Sequence, residues 1–344
     1  MYKIVVIGHF GLGHQLLNGQ TIKTKVISEE LETLYGRDSL LCYDTHGGYA
    51  FLVRMPLGLL MKFYKSKNIV IIPGDKGLLL MLPWIVLYQT LFRRKVFYVV
   101  IGRWLPCFLR KWSIYVKLLK FIDGIFLETE SLRKELCQMG FCNTFLMPNC
   151  KQMTILEHPY NRNGTDLRLC IFSRVMKEKG IAIAIDAVNE ANRRIGHSVF
   201  SLDIYGQIWE GQEEWFESLM SNQPKHIRYC GYVAFNDSVE VLKSYFALLF
   251  PTYYHGECFA GTIIDAFAAG LPVLASDWND NQNIVKDGVT GYLFPSKSVE
   301  ALVRVLIKIY QSPDSVDNMR EACLVEARKY QPKVVLSVLT SKFV

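Results

Sequence analysis

Two periodicities alternate along this 344-residue chain. Short, nearly uninterrupted apolar runs at 3–7, 40–43, 69–72, 96–100, 124–127 and 144–147 predict buried strands. The longer stretches between them carry apolar residues at helical spacing, as in Ile22, Val26, Leu31 and Leu34. Apolar strands alternating with helices predict an α/β fold with a parallel sheet covered on both faces, so residues 1–165 form a Rossmann-like, doubly wound domain. Polar residues 151–166, with Pro159, Asn161, Asn163 and Gly164, fit a linker. The pattern then restarts with strands at 169–174, 201–205, 227–229, 247–250 and 271–275. Helices are expected at 181–194 and 262–269, and from Val299, Ser315 and Lys333. A second Rossmann-like, doubly wound domain over 166–330 follows.

Composition narrows the class. Hydrophobic residues make up 50% and charged residues 21%, as in a well-packed globular protein. The first eight residues lead straight into a strand pattern, so no signal peptide is expected and a cytoplasmic location is. Nine cysteines without a C-x-x-C pair point to reduced thiols and away from disulfides or structural zinc. No Asp-x-Asp pair or HExxH spacing offers a metal site, and His9 and His14 read as turn or cleft residues.

The net charge of +7 is uneven: residues 1–150 hold 19 Lys+Arg against 10 Asp+Glu, a balance of +9, which leaves −2 for the rest. Nucleic acid is not an expected partner. The uncharged run 77–92 is shorter than the roughly 20 residues a spanning helix needs and contains Pro83, so it reads as a buried or surface-attached helix. Residues 104–121 interleave aromatics with Lys and Arg at helical spacing. Two readings stand: a helix lying on an anionic membrane surface, or an amphipathic helix packed on the sheet with a solvated basic edge.

Candidate chemistry concentrates at 253–277, a strand-loop-helix-strand segment. Glu257 and Asp265 are eight positions apart. In one continuous helix they would stand about 12 Å apart along the axis. With Glu257 on the loop and Asp265 on the helix they converge from two directions. Between them Ala260-Gly261-Thr262 opens the helix, aiming N–H groups and the positive dipole end where an anion is favoured. The alternative is a plain turn with two solvated acids. Arg174 and Lys179, five apart at a strand end and a helix start, either stabilise a diphosphate leaving group or are surface charges. The glycine-rich stretch 8–21 lacks a dinucleotide fingerprint, because Leu16 takes the third glycine's place. It remains either a loop for close approach to a phosphate or acceptor, or a tight turn. His255, beside Glu257, is a further cleft candidate.

Residues YYHGECFAGTIIDAFAAGLPVLASD resemble the signature of the retaining GT-B glycosyltransferases of group 1, glycosyltransferase family four, which includes bacterial capsule and lipopolysaccharide enzymes. That signature has two glutamates eight apart, an alanine-rich helix and a Gly-Leu-Pro-Val turn. Cys258 and Ala260 depart from its usual Gly-Phe-Pro wording. The resemblance implies a GT-B fold, two Rossmann-like domains facing across a cleft. It places Glu257 on the donor sugar, Arg174 and Lys179 on the diphosphate, and Asp265, one methylene shorter than the family's glutamate, on the ribose. Phe259, Gly261, Thr262, Gly206 and Tyr232 border the nucleotide. Gly13 and Gly19 face the cleft, and the 331–344 helix packs back on the first domain. Arg103 stands where many relatives carry a histidine, and either meets an anionic acceptor or pairs with a surface acid.

The implied activity is metal-independent, retaining hexosyl transfer from a UDP or GDP sugar to a lipid-linked or polysaccharide acceptor. It needs no cofactor and belongs to cell-surface glycan synthesis at the inner membrane face. Two rivals remain: a non-catalytic sugar-nucleotide-binding or scaffold subunit, and a sugar-nucleotide epimerase or phosphorylase on the same fold. A phosphorylase would show pyridoxal phosphate absorbance.

Overall fold

The computed structural model describes residues 2–11, 19–161 and 167–344, so Gly13, His14 and Leu16 lie outside the described residues. The chain divides into two compact units, one of Met1–Gln152 with Gln331–Val344 and one of Met153–Tyr330. Each is a six-stranded parallel sheet flanked by helices.

In the first unit, β1 (Tyr2–Gly8), β2 (Leu40–Asp44), β3 (Ser66–Ile72), β4 (Lys95–Val99), β5 (Gly124–Leu127) and β6 (Thr144–Leu146) run in the order β2-β1-β3-β4-β5-β6. Between them lie α1 (Gly19–Tyr35), α2 (Gly48–Lys65), α3 (Asp75–Phe92), α4 (Leu105–Lys111), α5 (Ile114–Leu119) and α6 (Glu130–Gln138). Right-handed crossovers put α1, which precedes a step to the left, on one face of the sheet, and α2 to α6 on the other. Ile4, Val6, Val70 and Phe97 meet Val26, Ile27 and Leu31 of α1 on the first face. Leu336 and Leu339 of the last helix join that core, and the Asn68 side chain holds the chain end by donating to Val344 O and accepting from Val344 N, both at 3.0 Å.

On the other face α2 and α3 pack together. Tyr88 Oη donates to Pro56 O at 3.1 Å, and Arg94 donates to Phe63 O and Tyr64 O, satisfying carbonyls that end α2 without helical partners. Pro83 lacks the N–H that Leu79 O would receive inside α3, and Tyr115 Oη supplies it at 2.6 Å, which ties α5 to α3. Residues 104–121 are accordingly not the single helix their spacing predicts. The chain breaks at Trp112 (φ −123°, ψ 70°). Trp104, Phe108 and Tyr115 form an edge-to-face cluster whose packing outweighs helical continuity.

In the second unit, β7 (Leu167–Phe172), β8 (Phe200–Tyr205), β9 (Ile227–Gly231), β10 (Ala247–Phe250), β11 (Val273–Ser276) and β12 (Gly291–Phe294) run in the order β12-β11-β10-β7-β8-β9. The helices are α7 (Ile181–Ile195), α8 (Glu213–Met220), α9 (Ser238–Leu242), α10 (Gly261–Ala268), α11 (Asn281–Ile284), α12 (Val299–Gln311), α13 (Asp314–Asp317) and α14 (Arg320–Ala327); α15 (Pro332–Thr340) belongs to the first unit. Strand order reverses between β7 and β10, and in open parallel sheets the carboxyl ends of the strands at such a switch point are where ligands bind. The strand expected at 271–275 begins two residues later. Gly270 closes α10 in a left-handed turn (φ +60°), Leu271 N donates back to Ala266 O at 2.8 Å, and Pro272 has no N–H for the ladder. β12 was not expected from the sequence as a strand.

Asp203 of β8 is buried and accepts from Arg168, Arg228 and Tyr245. Burial alone would raise its pKa; the hydrogen bonds from Arg228, Tyr245 and Arg168 overcome that and hold it below the ordinary value. A carboxyl with a depressed folded-state pKa contributes stability above the ordinary carboxylate range and loses it as pH falls through the depressed value. Asp203→Asn is expected to flatten the acid limb of a plot of unfolding midpoint against pH; an unchanged limb would show that another group carries it.

Candidate active site

The loop leaving β7 begins with Ser173-Arg174, then a single turn at Lys177–Lys179, and enters α7 through Gly180. Gly180 adopts φ +73°, and a Cβ there would lie 2.1 Å from Pro251 O. Only glycine lets this loop lie directly against the one leaving β10. Tyr253 N donates to Glu178 O at 2.8 Å. The β10 loop then folds into a tight turn, Glu257 N bonding Tyr254 O at 3.0 Å.

Docking these two loops brings together three of the charged residues singled out from the sequence, Arg174, Lys179 and Glu257, while Arg103 lies in the other unit. Lys179 Nζ stands 2.5 Å from Glu257 Oε2, and both residues are buried, at 7% and 8% exposure. Thr252 Oγ1 donates to the same Glu257 oxygen at 3.0 Å. Arg174 is exposed. Its guanidinium stacks 4.6 Å from the Trp209 ring centroid and 5.8 Å from that of Tyr254, whose ring also lies 5.2 Å from Lys179 Nζ. Arg174, Lys179 and Glu257 therefore share one site around Tyr254. Lys179 has three N–H donors and gives one to Glu257, so it can meet an anion without releasing the carboxylate. The Arg174 guanidinium lies within cation–π distance of both rings, contacts made through charge that do not consume N–H donors.

The wall of the site is braced from β11. Ser276 Oγ donates to Thr252 O at 2.6 Å, Trp278 Nε1 to Tyr254 O at 2.9 Å and Asn279 Nδ2 to Glu257 O at 3.0 Å. His255 is exposed, with its ring against Trp278 at 5.3 Å.

The donor-side candidates fall into three groups. Gly261 and Thr262 open α10 with no side-chain cap on the helix, which leaves its N–H end available to an anion. The Thr262 hydroxyl itself is used locally, donating to Phe172 O at 2.8 Å. Asp265 is buried in α10 at 5% exposure and Phe259 packs edge-on against Tyr330 at 5.0 Å. Gly206 ends β8 with φ +141°, and a Cβ there would sit 1.8 Å from Ser173 O. Tyr232, beside it after β9, is 55% exposed. Gly206→Ala is expected to lower the unfolding midpoint sharply or to abolish soluble expression, since both strain and overlap fall on backbone. An unaltered midpoint would remove this close approach from the account.

On the acceptor side, Gly19 starts α1 with open space where a side chain would go. Arg103 donates to Ser131 Oγ at 2.8 Å and pairs with Glu135 Oε2 at 3.5 Å, the surface-acid arrangement. Sequence reasoning did not find a polar cluster at the carboxyl ends of β1, β2 and β5. There His9 contacts Thr21 Oγ1 at 2.8 Å and His46 Nδ1 at 3.1 Å, and Lys23 is buried against Glu128 at 2.5 Å. Burial and the neighbouring His46 lower the His9 pKa.

Residues 153–329, essentially all of the second unit, match the family model described as glycosyl transferases group 1. Among curated relatives, the chain is 28% identical over 130 residues to a phosphatidyl-myo-inositol mannosyltransferase of Mycobacterium leprae, covering 38% of this chain and 34% of that one. It is 30% identical over 128 residues to the GtfA subunit of a UDP-N-acetylglucosamine–peptide N-acetylglucosaminyltransferase of Streptococcus pneumoniae, covering 37% and 24%. The matches span about a third or less of the length of these relatives. Among solved structures, Anabaena HepE in complex with UDP and glucose superposes with a TM-score of 0.73 at 14% identity over 99% of both chains. Sucrose-phosphate synthase of Thermosynechococcus elongatus gives 0.78 at 15% over 99% and 98%. At such identities the likeness speaks for the fold, which is that of the GT-B glycosyltransferases. With the family model covering more than half of its length, the chain belongs to the group 1 glycosyl transferases.

Proposed function

We propose that the chain is a retaining, metal-independent glycosyltransferase that moves a hexose from a nucleoside diphosphate sugar to a lipid-linked or saccharide acceptor in the synthesis of a cell-surface glycan. The observation that carries this reading is the shared site of Arg174, Lys179 and Glu257, with two cations and one carboxylate converging around Tyr254. In the proposed reaction Arg174, Lys179 and the N-terminus of α10 hold the diphosphate and take up the charge that grows on it as the glycosidic bond breaks. Glu257, held by Lys179 and Thr252, positions the sugar and stabilises positive charge at its anomeric carbon. The acceptor hydroxyl attacks from the face the diphosphate leaves, and a departing phosphate oxygen takes its proton, so configuration is kept. Asp265 takes the ribose, with the Gly206 and Tyr232 loops near the base.

The structures of Anabaena HepE with UDP and with UDP-glucose support uridine diphosphate sugars as the first donors to try. A thermal-shift panel of UDP and GDP sugars tests the reading. A ligand at 100 times its dissociation constant that binds only the folded state adds about 2.7 kcal/mol of stability. A shift with one sugar nucleotide, followed by transfer or slow hydrolysis of that donor, is expected; no shift with any would overturn the reading.

A further inference from the structure

Among the described residues, more than half of the exposed large hydrophobic side chains lie between Leu52 and Phe121, in the helical layer that covers one face of the first sheet. Their spacing is regular. On α2, Val53, Leu57, Met61 and Tyr64 follow one another four, four and three residues apart, 54–82% exposed, while Met55, Leu59 and Phe63 occupy the buried side. On α3, Leu80, Trp84, Leu87 and Leu91 repeat at four, three and four, again exposed, over Leu78, Met81 and Ile85 in the core. Both helices are 18 residues long, about 27 Å each. They pack side by side, with Tyr64 edge-on to Phe92, and α5 joins the layer through the Tyr115 bond to Leu79. Each helix is therefore apolar on both sides and presents one apolar stripe outward. A solvated helix would present charge there.

The charge around these stripes is one-sided. Residues 48–122 contain 13 Lys+Arg and a single acid, Asp75. Arg54 and Lys65 are exposed on α2, and Arg93 is exposed just past the end of α3. This composition argues against a second copy on the same face, which would bring two such surfaces together. It complements an anionic sheet of phosphates, with apolar stripes to sink below it. No helix among the described residues is long and apolar enough to cross a membrane, so attachment here would be at the surface.

We propose that the outer face of α2 and α3 is a docking surface for an anionic lipid bilayer, with the two helices lying in its plane and their apolar stripes entering the interface. This places the contact on residues 52–91 rather than on the 104–121 segment whose composition first drew attention. The proposal does not rest on the transferase reading, and its test needs no donor.

The test is flotation of the full chain with phosphatidylcholine vesicles, with and without phosphatidylglycerol. Binding only to the anionic vesicles, weakened by salt, is expected. Leu57→Glu combined with Leu87→Glu, both exposed, should lower the vesicle partition coefficient by at least about tenfold, since the two leucines together forfeit at least that factor in apolar burial. Circular dichroism and the unfolding midpoint of this variant should match the parent. A variant that fails to fold is replaced by Arg54→Glu with Lys65→Glu, which should weaken binding to anionic vesicles in the same direction. The proposal is overturned if the parent does not float with anionic vesicles, if folded variants float equally well, or if the parent is a dimer that Leu57→Glu with Leu87→Glu turns into a monomer.

Discussion

Glu257→Gln is expected to lower sugar transfer by about 10² to 10³-fold while leaving nucleoside diphosphate binding within a few-fold of the parent, because it removes one preorganised charge from the reacting centre. The substitution keeps the shape and one acceptor oxygen, turns the other oxygen into an NH2 donor, and removes the negative charge beside the proposed position of the cationic sugar. Lys179 and Thr252 would still find an oxygen at that position. Nucleotide affinity, which the proposed function assigns to Arg174, Lys179, the α10 N-terminus and Asp265, would persist. Steady-state transfer assays and a nucleotide titration on the same preparation separate the two quantities. Equal loss of both would make Glu257 a binding or folding residue. Undiminished transfer would favour a site elsewhere, and a parent without transfer or hydrolysis would favour the scaffold-subunit reading.

Lys179→Ala should damage stability and activity together. Removing the ammonium leaves the Glu257 carboxylate buried with Thr252 alone donating to it, and an uncompensated buried charge costs about 3–5 kcal/mol. For a unit of this size about 2–4 °C of unfolding midpoint accompanies each kcal/mol, so a fall of roughly 6–20 °C is expected. Two comparisons isolate the cause. Lys179→Ala with Glu257→Gln should regain much of the lost midpoint, because no charge is then stranded, yet should remain as inactive as the poorer single variant. Saturating nucleotide should protect the parent far more than Lys179→Ala, since the diphosphate has lost a ligand. A single variant with a parental midpoint would mean that water reaches Glu257 and that the pair is only superficial.

Much of this architecture was legible before any coordinates. The strand runs of the first unit coincide with β1 to β6 to within three residues, because a parallel sheet covered on both faces forces continuous apolar strands. Arg174, Lys179 and Glu257 could be singled out because they match the group 1 signature in order and context; their places at a strand end, a helix start and a loop left solvated surface charge equally open. What the sequence could not convey was the company those residues keep. Nothing local marks Trp209 as the platform for Arg174, nor Thr252 as the second donor to Glu257. These contacts arise only when the loops after β7, β8 and β10 are drawn to one edge by the sheet order. Ser276, Trp278 and Asn279 carried no signal for bracing the turn, because their bonds go to backbone carbonyls more than 20 positions away.

The apolar stripes on α2 and α3 show the opposite failure. Helical periodicity marks which residues share a face but is silent on which of two apolar faces the sheet will cover. For 77–92 only the packing of Tyr88 on Pro56 and of Tyr115 on Leu79 reveals that Leu80, Trp84, Leu87 and Leu91 are left outside. The aromatic and basic wording of 104–121 looked more like an interfacial helix than α2 did. Its aromatics, however, are largely spent on one another and on α3.

The most direct test of the central claim is a crystal structure with the nucleoside diphosphate that gives the largest thermal shift. The account predicts diphosphate oxygens within hydrogen-bonding distance of both the Arg174 guanidinium and Lys179 Nζ, beside the first N–H groups of α10, with Glu257 bordering the space where the sugar would continue. A nucleotide bound with its diphosphate away from Arg174 and Lys179, at any other edge of the molecule, would contradict it.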